Sequence, residues 1–130
     1  MKKKYAVVFF LVLALDQSLK FYFIRNEEPY YNSGMAFSLF SSYPRLAFWF
    51  NALGFAGLGV LFLLVKNVPP KILLPMTLML AGAAGNLLDR WLRGAVTDWL
   101  WIGFTHVNAA DMFLAIGFLL LFCNLTKKRR

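Results

Sequence analysis

Long apolar stretches alternate with short polar ones along the whole chain. The apolar stretches cover residues 5–23, 46–65, 72–88 and 112–125. A helix that rises about 1.5 Å per residue can cross about 30 Å of hydrocarbon with each of these stretches. The last two stretches are long enough once flanking residues are added. The pattern therefore predicts an all-α membrane protein, a bundle of four transmembrane helices that forms one integral membrane domain over residues 1–130. We place the helices at about 5–24, 45–65, 71–91 and 108–126.

The basic residues predict the orientation of these helices. Of fourteen Lys and Arg residues, nine lie at the two termini or in the short loop between the second and third helices. Alternating helices put these three places on one side, which the positive-inside rule makes cytoplasmic. Both termini are then cytoplasmic, and the longer loops 25–44 and 94–107 face outward. The net charge of +8 thus reports topology, and we expect no nucleic-acid partner.

The N-terminal segment also resembles the basic and apolar regions of a signal peptide. No small-x-small cleavage site follows it, and Asp16 and Gln17 come next. We therefore expect an uncleaved first transmembrane helix.

Polar residues concentrate between Gly82 and Asp111. This stretch holds three of the six acidic residues, the only histidine and three of the four tryptophans, and its flanks are almost continuously apolar. Polar groups are costly next to a bilayer and tend to be functional there. We therefore expect the functional site of the protein to lie in this stretch.

Three local patterns bring polar side chains together. Asp16 and Lys20 are four residues apart, so they share one face of the first helix and can pair. Asn86, Asp89 and Arg90 share one face near the outer end of the third helix, and Gly82 one turn below leaves space before the Asn86 amide. Asn108 is a suitable N-cap for the fourth helix, and Asp111 then lies in its first turn, where the helix dipole favours a negative charge.

Other small and polar residues have structural interpretations. Asn51, Gly54 and Gly57 follow each other at intervals of three, a spacing that predicts close approach of another helix. Turn signals and Asn32-x-Gly34 in the first outer loop allow some short strand pairing. Cys123 is the only cysteine, so no disulfide is possible, and we expect it to be a buried packing residue.

The available side chains favour carboxylate chemistry. A serine or cysteine nucleophile has no suitable base, because His106 is the only imidazole and Cys123 lies at the opposite end of the bundle. One histidine and no usable cysteine give poor support for a zinc site, and no cofactor is expected. Two carboxylates that share a proton can activate water and polarise an amide carbonyl. Chemistry alone leaves Asp89 and Asp98 as equal candidates for one member of such a pair.

Five blocks of sequence, in order over the four predicted helices, together resemble one known family. They are Asp16-Gln17 with Lys20; Asn32-Ser33-Gly34-Met35-Ala36-Phe37; Gly82-x-x-x-Asn86-x-x-Asp89-Arg90; Gly94-x-Val96-x-Asp98; and Asn108-x-Ala110-Asp111. The chain is similar over nearly its whole length to the lipoprotein signal peptidases, the type II signal peptidases of bacteria. The resemblance implies an aspartyl endopeptidase that cuts prolipoproteins just before a diacylglyceryl-modified cysteine.

The same resemblance implies residue roles. It makes Asp98 and Asp111 the catalytic pair, with Asp16 and Lys20 as a supporting pair. The positions that line the site and hold the substrate match Asn32, Gly34, Gly82, Asn86, Asp89, Arg90 and Asn108. It also implies an active site at the outer face of the bacterial inner membrane, contact with membrane lipid, globomycin-type peptide inhibitors, and a monomer.

The outer loops depart from the family pattern. Relatives have a longer first outer loop that builds a small β-sheet cradle on the membrane, whereas residues 25–44 allow only a reduced extracytoplasmic β-cradle. Asp98 and Asp111 are thirteen residues apart, which trims the lid-like segment between them. Both departures concern substrate range, because every ionisable position of the family is kept.

Two other functions remain open. A non-catalytic relative that binds lipidated peptides would keep the groove but would not need both aspartates. A small four-helix transporter could use Asp16 and Lys20 as an ion or proton path. Such a transporter needs polar groups that reach both sides, and the cytoplasmic halves of these helices are apolar.

Overall fold

The computed structural model describes residues 2–35, 39–64 and 68–127. Its four helices are α1 (Lys2–Asn26), α2 (Pro44–Leu64), α3 (Pro70–Arg93) and α4 (Ala109–Thr126), and each is long and apolar enough to cross a membrane. The predicted four-helix membrane fold is confirmed. Ala36 and Phe37 of the second sequence block, Lys66 and Asn67 of the middle loop, and residues 128–130 lie outside the described residues.

Four short strands form the predicted reduced β-structure. They are β1 (Tyr30–Asn32), β2 (Val96–Asp98), β3 (Leu100–Trp101) and β4 (His106–Val107). β1 pairs with β2 in antiparallel register, which places Tyr30 opposite Asp98, and β3 pairs with β4. The strands lie at the end of the bundle where α1 and α3 finish and where α2 and α4 begin. At the opposite end of the bundle α1 and α3 begin, and α2 and α4 finish.

The third helix forms the centre of the bundle. α3 packs against each of the other three helices and carries more buried residues than any other element, including Leu73, Thr77 and Ala81. The other helices expose many large apolar side chains, as expected for surfaces that face lipid. Cys123 is also exposed on α4, so its predicted burial is wrong. A thiol is apolar enough to face lipid, which explains why sequence alone misplaced it.

Close helix packing occurs at glycines of α3 and α4. A Cβ added to Gly82 would lie 2.5 Å from the Ala110 carbonyl oxygen, and one added to Gly117 would lie 2.7 Å from the Pro75 carbonyl oxygen. Gly82 is therefore a packing residue, and the space expected there in front of Asn86 is filled by α4. The predicted close approach at Gly54 and Gly57 is wrong, because no atom of another described helix lies within 4 Å of a Cβ built at either. Those two glycines lie on a face of α2 that no described helix covers.

A left-handed glycine turns the chain from α3 into the strand that carries Asp98. Gly94 has φ of +77° and its N–H donates to the Arg90 carbonyl at 3.0 Å, which ends α3. L-residues with a side chain rarely adopt this conformation, so glycine suits the position. The turn brings β2 back against the end of α3.

Candidate active site

A cavity of about 630 Å³ opens at the end of the bundle that carries the strands. Its polar lining consists mainly of Asn32, Asn51, Asn86, Arg90, Asp98 and Asp111. Its apolar lining includes Met112 and Leu114 of α4, with Ile102 and Phe104 of the loop between β3 and β4. A cavity with mostly apolar walls and a few converging polar groups is typical of a ligand site.

Asp98 is the last residue of β2 and is almost fully buried. Its Oδ1 accepts a hydrogen bond from Asn108 Nδ2 at 2.6 Å, and its Oδ2 accepts one from Asn32 Nδ2 at 3.1 Å. Burial raises the pKa of Asp98 to about 7, and the nearby Asp111 carboxylate acts in the same direction. A carboxyl group with this pKa can hold or release a proton near neutral pH.

Asp111 lies in the first turn of α4, in a capping box with Asn108. The Asp111 N–H donates to Asn108 Oδ1 at 2.9 Å, and the Asn108 N–H donates to Asp111 Oδ2 at 3.2 Å. The predicted N-cap is thereby confirmed. The other carboxylate oxygen, Oδ1, accepts a hydrogen bond from Asn86 Nδ2 at 2.7 Å. Helix capping and the Asn86 amide together fix the orientation of this carboxylate.

Asn108 connects the two carboxylates. Its side-chain amide donates to Asp98 and its backbone N–H donates to Asp111. The same side-chain amide donates to Asn86 Oδ1 at 3.1 Å, so the two asparagines orient each other. Within residues 2–35, 39–64 and 68–127, no cationic nitrogen forms an ion pair with Asp98 or Asp111. We refer to Asp98 and Asp111 as the aspartate pair.

Asp16 and Lys20 are fully buried and form an ion pair at 2.9 Å, as their spacing predicts. Lys20 Nζ also donates to Asn86 Oδ1 at 3.1 Å, the same oxygen that Asn108 contacts. Asp16 Oδ1 accepts a hydrogen bond at 2.9 Å from the N–H of Ala110, one of the free donors at the start of α4. The pair thus connects α1 to the helices that carry the site.

Asp89 lies beside this pair but does not line the cavity. Its carboxylate accepts hydrogen bonds from Arg93 Nη1 at 2.6 Å and from the Thr97 N–H at 2.8 Å, and it lies 3.4 Å from Lys20 Nζ. It therefore holds β2 against α3 and has its oxygens occupied. Of the two aspartates that chemistry left equal, only Asp98 lines the cavity with Asp111.

Arg90 connects the first outer loop to α3. One terminal nitrogen donates to the Gly34 carbonyl, and the other reaches Asn51 Oδ1 at 3.3 Å. The Gly34 N–H donates to Asn32 Oδ1 at 2.9 Å, which leaves the Asn32 amide nitrogen directed at Asp98. Arg90 and Gly34 thereby hold Asn32 at the aspartate pair.

Three contributors to the site were not predicted as site residues. Gln17 donates to Asp16 Oδ2 at 3.0 Å and to the Gly85 carbonyl at 3.2 Å, and Asn51 lines the cavity. A Cβ on Gly85 would collide with the Asp16 carboxylate. Two of these could have been predicted as site residues: Gln17 because it follows Asp16 directly, and Asn51 because it is the one amide side chain in an apolar helix. The contact of Gly85 with Asp16 could not be predicted, because the two residues are 69 positions apart along the chain.

Comparisons with known proteins find one family model and several bacterial relatives that are similar to this chain. The family model described as signal peptidase (SPase) II matches residues 8–127. A lipoprotein signal peptidase from Syntrophus aciditrophicus is 34% identical over 145 residues, which cover 92% of this chain and 90% of the relative. One from Chlamydia trachomatis serovar L2 is 39% identical over 100 residues, which cover 72% of this chain and 59% of the relative. The match thus spans less than two thirds of the Chlamydia protein.

Two solved structures, each described as a bacterial membrane enzyme, share the fold. Their TM-scores are 0.86 and 0.85 at 21% and 22% identity, and each comparison covers 98% of this chain. Four apolar helices and bacterial relatives indicate a multi-pass bacterial membrane protein. Since the family model covers most of the sequence, the chain belongs to the signal peptidase II family.

Proposed function

We propose that the chain is an aspartyl endopeptidase that removes the signal peptide of diacylglyceryl-modified prolipoproteins, just before the lipidated cysteine. The observation that carries this proposal is the aspartate pair, bridged by Asn108 at a cavity with apolar walls. Membership of the signal peptidase II family supports the substrate class. The apolar wall of the cavity suits a substrate with a hydrophobic signal sequence and acyl chains.

The charges around the cavity support a pair that holds one proton. Hydrogen bonds and ion pairs link seven charged residues, which we call the charge network. It comprises Asp16, Asp89, Asp98 and Asp111, with Lys20, Arg90 and Arg93. Four carboxylates against three cations leave one negative charge, which one retained proton neutralises. A buried site favours the neutral state, because isolated charge is costly away from water.

The proposed reaction uses the two aspartates in opposite protonation states. Asp98 has the pKa of about 7, so we assign it the proton and assign Asp111 the role of base. Asp111 takes a proton from water as the water oxygen attacks the scissile carbonyl carbon, and Asp98 protonates the carbonyl oxygen. When the tetrahedral intermediate collapses, its hydroxyl proton returns to Asp98, the C–N bond breaks, and Asp111 protonates the leaving amine.

The remaining polar residues hold this arrangement and the substrate. Asn32, Asn86 and Asn108 each donate to the aspartate pair, so their substitution should misplace a carboxylate. Arg90 lines the cavity beside them and is a candidate donor to substrate carbonyls. Preorganised donors of this kind stabilise charge as it develops in the transition state.

The direct test is cleavage by the purified protein. Incubation with a diacylglyceryl-modified prolipoprotein should release the signal peptide and leave a product whose N-terminal residue is the lipidated cysteine, read by mass spectrometry. The same prolipoprotein without the lipid is the matched control and should remain uncut. Binding of the lipidated substrate without any cleavage would favour the lipopeptide-binding alternative.

Membrane orientation gives a second prediction. The lysine-rich end of the bundle is proposed to be cytoplasmic, so the cavity faces outward. A reporter that is active only in the cytoplasm should work when fused after Arg130, and a reporter that requires export should work when inserted within residues 39–42. An active export reporter after Arg130 would contradict the proposed orientation and the outer location of the site.

The pKa of Asp98 predicts how cleavage depends on pH. Burial raises this pKa to about 7, so the proton needed on Asp98 is present below that pH and is lost above it. We expect kcat/KM to fall as pH rises through about 7. A rate that keeps rising well above that pH would show that Asp98 does not act as the acid.

A further inference from the structure

Lys20 is joined to the aspartate pair by amides and does not touch either carboxylate. Its Nζ donates to Asn86 Oδ1 at 3.1 Å, and the Asn86 amide nitrogen donates to Asp111 at 2.7 Å. The same Asn86 oxygen accepts from Asn108, which donates to Asp98. The ammonium group is therefore one hydrogen-bonded amide away from Asp111 and two from Asp98, and the side chains of Lys20, Asn86 and Asn108 are buried.

We propose that Lys20 is a positioning residue whose charge sets the number of protons on the aspartate pair. This inference rests on the proposed function, because it concerns the protonation state that the peptidase reaction needs. Lys20 acts through space and through the Asn86 amide, and it makes no contact with substrate.

The groups that face the pair from each packed element show why this charge is decisive. α1 contributes Asp16 and Lys20, and α3 contributes Asp89, Arg90 and Arg93. α4 and β2 contribute the aspartate pair itself, and β4 contributes His106, which lines the cavity. In this charge network one proton gives neutrality. Lys20 also opposes the rise in the pKa of Asp98, which burial causes.

Removing one charge at a time should change the proton count in opposite directions. Without the Lys20 cation, the network carries one more negative charge and should bind a second proton. That proton would lie on Asp111, which could then no longer act as the base. Without the Asp16 carboxylate, the network is already neutral with both aspartates ionised, so the pair should lose its acid. Removing both charges together restores the original balance, although the Lys20 to Asn86 hydrogen bond is still lost.

The experiment compares three variants by pH profile. Lys20→Met, Asp16→Asn and the double variant are purified, and kcat/KM for the lipidated prolipoprotein is measured against pH. Relative to the unmodified protein, the whole profile of Lys20→Met should move to higher pH by about one unit, and that of Asp16→Asn to lower pH by a similar amount. The profile of the double variant should lie close to that of the unmodified protein, even if its maximum rate is reduced.

A purely structural role for Lys20 predicts a different outcome. Lys20→Met and the double variant would then both lose rate or thermal stability, and neither would move the profile, which would overturn the inference. If Lys20→Met does not fold, the same test is made by comparing the pH profiles of Asp16→Asn and the double variant, which should lie apart. Failure of the unmodified protein to cut would contradict the proposed function. The proton count can then still be read from the carboxylic-acid infrared bands of the same variants.

Discussion

Replacing either member of the aspartate pair by asparagine is expected to lower cleavage by about 10³-fold or more. Asp98→Asn cannot donate an acidic proton to the scissile carbonyl, and Asp111→Asn cannot accept one from water. Asparagine keeps the shape and the hydrogen-bonding oxygen of the side chain, so each variant should stay folded and still bind the lipidated substrate. Single-turnover cleavage, together with a binding assay, measures both properties.

Two further variants make this test specific. The double variant should be little slower than either single one, because the aspartates act as a unit. Asp89→Asn is the matched comparison: its carboxylate holds Arg93 and the Thr97 N–H outside the cavity, so it should lose thermal stability and, like Asp16→Asn, move its pH profile to lower pH, but retain turnover at its new optimum. Substantial turnover by Asp98→Asn, with none by a folded Asp89→Asn, would make Asp89 the partner of Asp111.

The largest stability effect is expected at the contact between α3 and α4. A Cβ on Gly117 would lie 2.6 Å from Met79 Cγ and 2.7 Å from the Pro75 carbonyl oxygen, so Gly117→Leu must push the helices apart. Overpacking of this kind destabilises proteins by about 1–3 kcal/mol. Thermal unfolding in detergent should show a clearly lower Tm, and activity should fall because α4 carries Asp111.

Gly57→Leu provides the matched control for this substitution. It introduces the same side chain into a membrane helix at a position where no atom of another described helix lies within 4 Å of the new Cβ. Its Tm should be unchanged or slightly raised, since leucine is a better helix former than glycine. Equal decreases of Tm in the two variants would mean that the loss of a glycine, and not the overpacking of the α3–α4 contact, causes the destabilisation.

Features encoded by neighbouring residues could be predicted from the sequence. The four helices follow from apolar length, the Asp16–Lys20 pair from its spacing, and the cap of α4 from Asn108 followed by Asp111. Each depends on residues within one or two helical turns of each other. The physical chemistry of short segments was therefore sufficient to predict these features.

Features that depend on tertiary packing could not be predicted in the same way. Chemistry left Asp89 and Asp98 equal, because only the antiparallel pairing of β1 with β2 brings Asp98 to Asn32 and the cavity. The same limit applies to Gly54 and Gly57, whose spacing favoured a helix contact although their face is uncovered. Small residues permit close approach, but the partner helix decides where it happens.

We propose that Asp98 and Asp111 together hold one proton near neutral pH. Infrared spectroscopy of the purified protein counts protonated carboxyl groups directly, through the C=O band that an ionised carboxylate lacks. We predict one such band below pH 7 that disappears in both Asp98→Asn and Asp111→Asn, since either change leaves the charge network neutral without a proton, and that persists in Gly57→Leu, which leaves the charge network unchanged. A band that survives in both pair variants, or no band at all in the unmodified protein, would contradict the claim.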